Sequence, residues 1–311
     1  MTLPPIPVSA FRKIAVGIDR PEDVVVGADG RVFASDHLSA VAEIFPEGSF
    51  RRLGPPRGAP NGINMDRQGR IIIANFGVYD GQDGPLERFD PRTGVREVLL
   101  ADVGGRRLTA ANYPVIDAAG NIWCANSTHA ETWPQALDGR TDGFVFVLRP
   151  DGSSDIVAEG LKFPNGLALS DDETALYCAQ TSGADVIRFP ILPGARLGPG
   201  ERYGPVLGAL QRPGEAAHDP NDLGYTDGVG FDAEGNLWVC LPAANKVVAI
   251  APDGAVQTVI HDPTGQVVNH PTNVTWGGEG LGDLYIGSIR ADYVLKAKSP
   301  VPGQPQIHQR P

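Results

Sequence analysis

The sequence predicts an all-β fold, a six-bladed β-propeller of four-stranded antiparallel blades, on three observations. A strand-turn-strand segment recurs six times, the intervals between copies carry further hairpins, and the chain is unusually rich in turn residues, with 39 glycines and 28 prolines among 311 residues.

The clearest copy is PNGLALSDDETALYCAQ, residues 164–180, where an alternating run meets a polar turn and returns as a second strand. APNGINMDRQGRIIIAN at 59–75 repeats it closely. RPEDVVVGADGRVFASD, ANYPVIDAAGNIWCAN, YTDGVGFDAEGNLWVC and HPTNVTWGGEGLGDLYIG repeat it more loosely. Alignment on the second strand singles out Glu22, Asn61, Asn112, Asn165, Asp227 and Asn273, all acids or amides. Their mean spacing of about fifty residues is that of a propeller blade. Between copies, short strands at 50–53, 96–100, 155–158 and 256–260 each follow a turn such as Pro150-Asp151-Gly152, which brings each unit to four strands.

Residues 11–16, FRKIAV, form a strand without a local partner, and the sixth unit lacks its outer strand. The first is expected to complete the second, closing the ring and hiding edges that an open array exposes. Residues 1–10 read as a loose lead-in and 299–311 as a Pro-rich tail, and the chain 1–311 is read as one domain. Extra length gathers in two loops, 127–143 and 198–225, expected to be lids or walls of a site.

A net charge of −11 without a basic cluster excludes nucleic acid as a partner and suits a cation. The absence of a signal-like apolar region or a long apolar run points to a soluble, cytoplasmic protein that does not enter a membrane and acts on a small molecule. Cys124, Cys178 and Cys240 occupy equivalent strand positions and read as buried, reduced thiols.

Innermost strands line a propeller's channel, so the repeated acids and amides form a ring at one end of it. Asn61 and Asn273 are explained by turn preference alone. Glu22 is not, and two acids at Glu22 and Asp227 would repel unless a cation held them. Carboxylates from Glu22 and Asp227 with the amide oxygen of Asn165 make an all-oxygen set for one divalent ion: calcium first, magnesium or manganese as alternatives, zinc disfavoured. Three protein ligands leave room for water and substrate.

The segments RPED, PNGLALS, DGVGFDAEGNLWV and PTNV with LYIG resemble the senescence marker protein, gluconolactonase and regucalcin family of six-bladed propellers. The resemblance covers nearly the whole chain. It implies a divalent ion on Glu22, Asn165 and Asp227, with Asn112 reaching substrate or a metal-bound water. Where that family usually has Arg-x-Asn-Asp, this chain reads Ala110-Ala111-Asn112-Tyr113, which removes the sugar-binding Arg and weakens the specific case for gluconolactone. PEDVVVGADGRVFASD also resembles the strictosidine synthase-like propellers, which share the fold without needing the metal.

Among the histidines, His37, His261 and His308 read as solvated, while His129, His218 and His270 lie nearer the expected channel mouth. His129 and Trp133 in the blade-three loop are expected to wall a substrate pocket, with Asn112 and Tyr113 also on the substrate side. No Gly-x-Ser-x-Gly elbow is present, so a nucleophilic hydrolase is excluded. The expected activity is divalent-metal-dependent hydrolysis of a lactone or related cyclic ester, with Asp227 both ligand and general base and His129, Asp219 or Asp222 as substitutes for it as base. Two alternatives stand beside it: condensation, isomerisation or elimination on a small carbonyl compound, or a non-enzymatic ligand-binding propeller.

Overall fold

A computed structural model describes residues 3–79, 81–212 and 214–310. Six antiparallel sheets stand in sequence order, and their innermost strands are Val24–Val26, Pro60–Met65, Ala111–Ile116, Pro164–Leu169, Val229–Phe231 and Pro271–Gly277. These are the six predicted blades. The sixth is closed by Arg12–Ile14, which pairs with Val294–Lys298 in the register Arg12↔Lys296 to Ile14↔Val294. The closing strand is thus shorter than the expected 11–16.

Period-two alternation explains why the ring holds together. Along Ile71–Asn75, Ile71 and Ile73 pack toward blade one with Phe33 and Phe89, whereas Ile72 and Ala74 pack toward blade three with Phe144 and Phe146. The same division gives one apolar layer between every pair of neighbouring blades. Each fully buried Ile or Phe contributes roughly 1.5–3 kcal/mol, so the closed ring is stabilised at six interfaces. Blades three and five add a polar clasp: Asp117 and Asp232 accept from the indole nitrogens of Trp123 and Trp238, both at 2.9 Å.

Three segments differ from expectation. Leu3 and Ile6 are buried against blades five and six, and Ile6 N donates to Val259 O at 2.8 Å, so the lead-in is packed. The 198–225 insertion begins as blade-four structure, with Glu201–Arg202 pairing to Asp185–Leu192. The tail folds across the end of the channel where the innermost strands finish. There Gln309 Nε2 donates to Val26 O and Trp276 O at 2.9 and 3.0 Å, and Gln304 Nε2 donates to Leu169 O at 3.1 Å. His308, expected in solvent, is buried in that plug and donates from Nε2 to Val26 O at 3.0 Å. His37 and His261 are half-buried for a similar reason, each pairing with a neighbour, Arg20 and Asn221 respectively. Among the described residues no helix is long and apolar enough to cross a membrane.

Candidate active site

The opposite end of the channel, where the innermost strands begin, is open. Four of those strands start with a bulge, between Pro60 and Ile63, Ala111 and Pro114, Pro164 and Leu167, and Pro271 and Val274. A bulge places two successive residues on the channel side and bends the strand, which re-aims the first of them upward into the mouth. Close approach of the strands depends on glycine at the second position: a Cβ on Gly62 would lie 2.3 Å from Asn112 O, and on Gly228 2.3 Å from Thr272 O.

The mouth holds a cavity of about 280 Å³, in the range of small-molecule sites. Its floor is formed by Glu22, Asn61, Asn112, Asn165 and Asp227, five of the six residues singled out by the repeat. The sixth differs. Pairing of Pro271 with Ser288 and of Val274 with Ile286 makes Thr272 the equivalent of Asn61, and Asn273 the equivalent of Gly62. Asn273 therefore sits one step deeper. There its amide donates to Asp23, and its Oδ1 accepts from the Tyr113 hydroxyl at 3.3 Å. Tyr113 occupies the same deeper position and does not reach the cavity.

His129 also lies outside it. Its Nδ1 is 3.2 Å from Thr109 Oγ1, and its ring stacks on Phe144 with centroids 5.8 Å apart. Trp133 from the same loop does line the cavity, carried by the short helix Trp133–Ala136. Tyr225 is the contribution of the second long loop, and His218, Asp219 and Asp222 remain away from the cavity.

Two further tiers were hidden from the repeat reading. The residue two positions before the floor residue in four blades, Arg20, Phe163, Tyr225 and His270, projects into the cavity. Extending the repeat alignment upstream by two residues would have found them. Arg20, Phe163 and His270 each precede a proline and hold left-handed backbone, with φ of 51°, 58° and 46°. Such conformations cost about 1 kcal/mol or more and persist where their surroundings fix them. The other tier follows the second strand in four blades: Phe76, Thr181, Pro242 and Arg290.

Arg20 organises the acidic side. Its guanidinium is ion-paired with Glu22, donates to Asn61 Oδ1 at 2.9 Å, meets His37 Nε2 at 3.0 Å and lies 4.5 Å over the Tyr79 ring. Asn61 Nδ2 in turn donates to Asn112 Oδ1 at 3.0 Å. Burial raises the Glu22 pKa against the opposing pull of Arg20 and Asn61. Asp227 is held well above the usual carboxylate range, first by burial and then by the charge on Glu22.

Several buried oxygens on this floor lack hydrogen-bond partners. Asn165 Nδ2 donates to Thr181 Oγ1 at 3.1 Å, yet its Oδ1 accepts nothing, and Glu22 Oε2 accepts no well-aligned hydrogen bond despite the Arg20 ion pair. Unpaired buried polar atoms are costly unless a ligand uses them. Two carboxylates and a free amide oxygen are a hard, all-oxygen donor set, so these residues fit a divalent cation such as calcium. Among the described residues no group of three or more His, Cys, Asp or Glu side chains is placed to hold a metal ion, so a cation here relies on the Asn165 amide oxygen beside the two acids.

Comparison with known proteins agrees with this architecture. The family model described as SMP-30/Gluconolactonase/LRE-like region matches residues 77–290, and a strictosidine synthase-like N-terminal model matches residues 9–38. A gluconolactonase of Zymomonas mobilis is 29% identical over 244 residues, which span 78% of this chain but only 63% of that protein. A pentonolactonase of Haloferax volcanii is 27% identical over 70% of this chain and 67% of its own length. Regucalcin of Agrobacterium tumefaciens, described as a calcium-binding protein, superimposes with a TM-score of 0.73 at 16% identity, covering 100% of both chains. With the family match spanning more than half of a chain whose six blades converge on one polar mouth, the protein belongs to the SMP-30/gluconolactonase/LRE-like family.

Proposed function

We propose that the protein is a divalent-metal-dependent lactonase, hydrolysing a small cyclic ester at the channel mouth. The observation that carries this reading is the meeting of Glu22, Asn165 and Asp227 on one cavity floor, with Asn165 Oδ1 buried and unpartnered there and Glu22 Oε2 held by the Arg20 ion pair without a well-aligned hydrogen bond. Similarity to gluconolactonase and pentonolactonase supports the reaction class, and similarity to a calcium-binding regucalcin supports the ion.

Glu22, Asn165 and Asp227 would hold the cation. When bound, the ion supplies polarisation of the ester carbonyl and a more acidic water. Asp227 takes a proton from the attacking water, whose oxygen bonds to the carbonyl carbon. The ring C–O bond then breaks, the proton passes to the departing alkoxide, and a hydroxy acid results. Asn112 is oriented for a donor role, because its Oδ1 already accepts from Asn61 and its amide N–H groups are left to face the carbonyl oxygen. Arg20 opposes the burial that favours a neutral Glu22 and holds its carboxylate in place. Three free, buried cysteines fit the reducing cytoplasm as the site of action.

A hydrolysis screen over aldonolactones, aromatic lactones and simple esters, with and without chelator, tests the reading. We expect at least one lactone to be turned over and the activity to vanish on chelation. A second reading, a strictosidine synthase-like propeller, rests on the match at residues 9–38. It requires chemistry on a carbonyl compound that persists in chelator and leaves every lactone intact.

A further inference from the structure

One wall of the cavity differs from its floor and from its other sides, where Arg20, Thr181, Tyr225, His270 and Arg290 stand. Phe76 and Trp133 stack with centroids 5.3 Å apart, and Phe163 closes the group at 5.9 Å from Phe76 and 6.5 Å from Trp133. Phe76 and Phe163 are buried at 1% and 3% exposure, whereas Trp133 is 41% exposed and presents an aromatic surface to the opening. The apolar cluster behind them contains Ala110, Ala130 and Ala136. That wall has one polar group, the Trp133 indole N–H. Three separate blades contribute to it, so the aromatic surface does not follow from the packing of any one of them.

From this we infer that the site selects lactones carrying a planar apolar ring, such as aryl or benzo-fused lactones, over polyhydroxylated aldonolactones; the inference rests on the lactonase reading above. The lactone carbonyl meets the polar floor while the ring lies against Trp133 and Phe163. A polyol in the same place would turn hydroxyls toward a wall that can pair almost none of them, and buried unpaired hydroxyls count against binding. An aryl ring instead covers the exposed face of Trp133 and removes apolar surface from water.

The test compares 3,4-dihydrocoumarin with D-glucono-1,5-lactone on the calcium-loaded protein. We expect kcat/KM to favour dihydrocoumarin by about tenfold or more. Trp133→Ala should reduce that preference about tenfold, through KM rather than kcat, and Trp133→Phe should restore most of it. Preference for gluconolactone, or an equal loss on both substrates, overturns the inference while leaving a lactonase in place. If neither lactone is hydrolysed, calorimetric titration with dihydrocoumarin decides separately. Saturable binding weakened by Trp133→Ala upholds the aromatic site and rejects the lactonase reading, and absence of binding rejects both.

Discussion

The two ends of the channel are built from the same six strands and finish differently. At the far end, the tail takes up strand carbonyls at Val26, Leu169 and Trp276, and only about 60 Å³ of space remains. At the mouth, the cavity is about 280 Å³, Asn165 Oδ1 and Thr226 Oγ1 are buried without partners, and three wall residues hold left-handed backbone. One end commits most of its polar groups to hydrogen bonds, leaving Gln306 Oε1 and His308 Nδ1 unpaired, and the other keeps unpaired oxygens around an open cavity, as sites that bind and react commonly do. Changes at the mouth should therefore alter chemistry, and changes at the plug should alter folding.

The largest expected effect is at Asp227. Asp227→Asn keeps an oxygen for the ion but loses the base, so kcat should fall about a hundredfold or more with modest loss of calcium affinity. Near-full turnover under saturating calcium would remove Asp227 from the base role.

The plug should respond to acid. Burial lowers the His308 pKa from 6.5 to about 4, so the folded state keeps it neutral while the unfolded chain takes up a proton below 6.5. Stability should be intact above that pH and fall as pH drops toward 4, by up to roughly 3 kcal/mol. Denaturant midpoints from pH 7 to 4 measure this, and His308→Gln should flatten the dependence. An unchanged profile in that variant would assign the acid sensitivity elsewhere.

Within the mouth, Glu22→Gln should weaken calcium binding about tenfold or more in calorimetry, whereas Asn61→Ala, one step removed through Arg20, should weaken it less. Equal losses would place both residues, or neither, on the ion. The smallest effect is expected at His218, exposed and 3.9 Å from Glu215, where His218→Ala should change kcat/KM by less than about twofold.

The contrast between the ends also marks what the sequence could disclose. A period-two pattern repeated six times made the blades, the closing strand and five of the six floor residues legible. Asn273 slipped by one position because Thr272-Asn273 follows Pro271 where blades two and four have Asn-Gly, and only strand pairing fixes the register. His129 was placed by loop membership, yet a loop of that length holds some residues over the cavity and turns others onto the blade. The aromatic wall was invisible for a different reason: Phe76, Trp133 and Phe163 come from three blades and meet only when the ring closes. His308 in the Pro-rich tail read as solvated because it and Gln309 find their partner at a strand end distant in sequence.

The central claim is that the open end is a metal-dependent lactone site, and the direct measurement is lactone hydrolysis by chelator-treated protein as calcium is added back. The account predicts negligible turnover without the ion and a rise that saturates as a single site, shifted to higher calcium in Glu22→Gln. Full turnover in excess chelator, unaffected by Glu22→Gln, would contradict it.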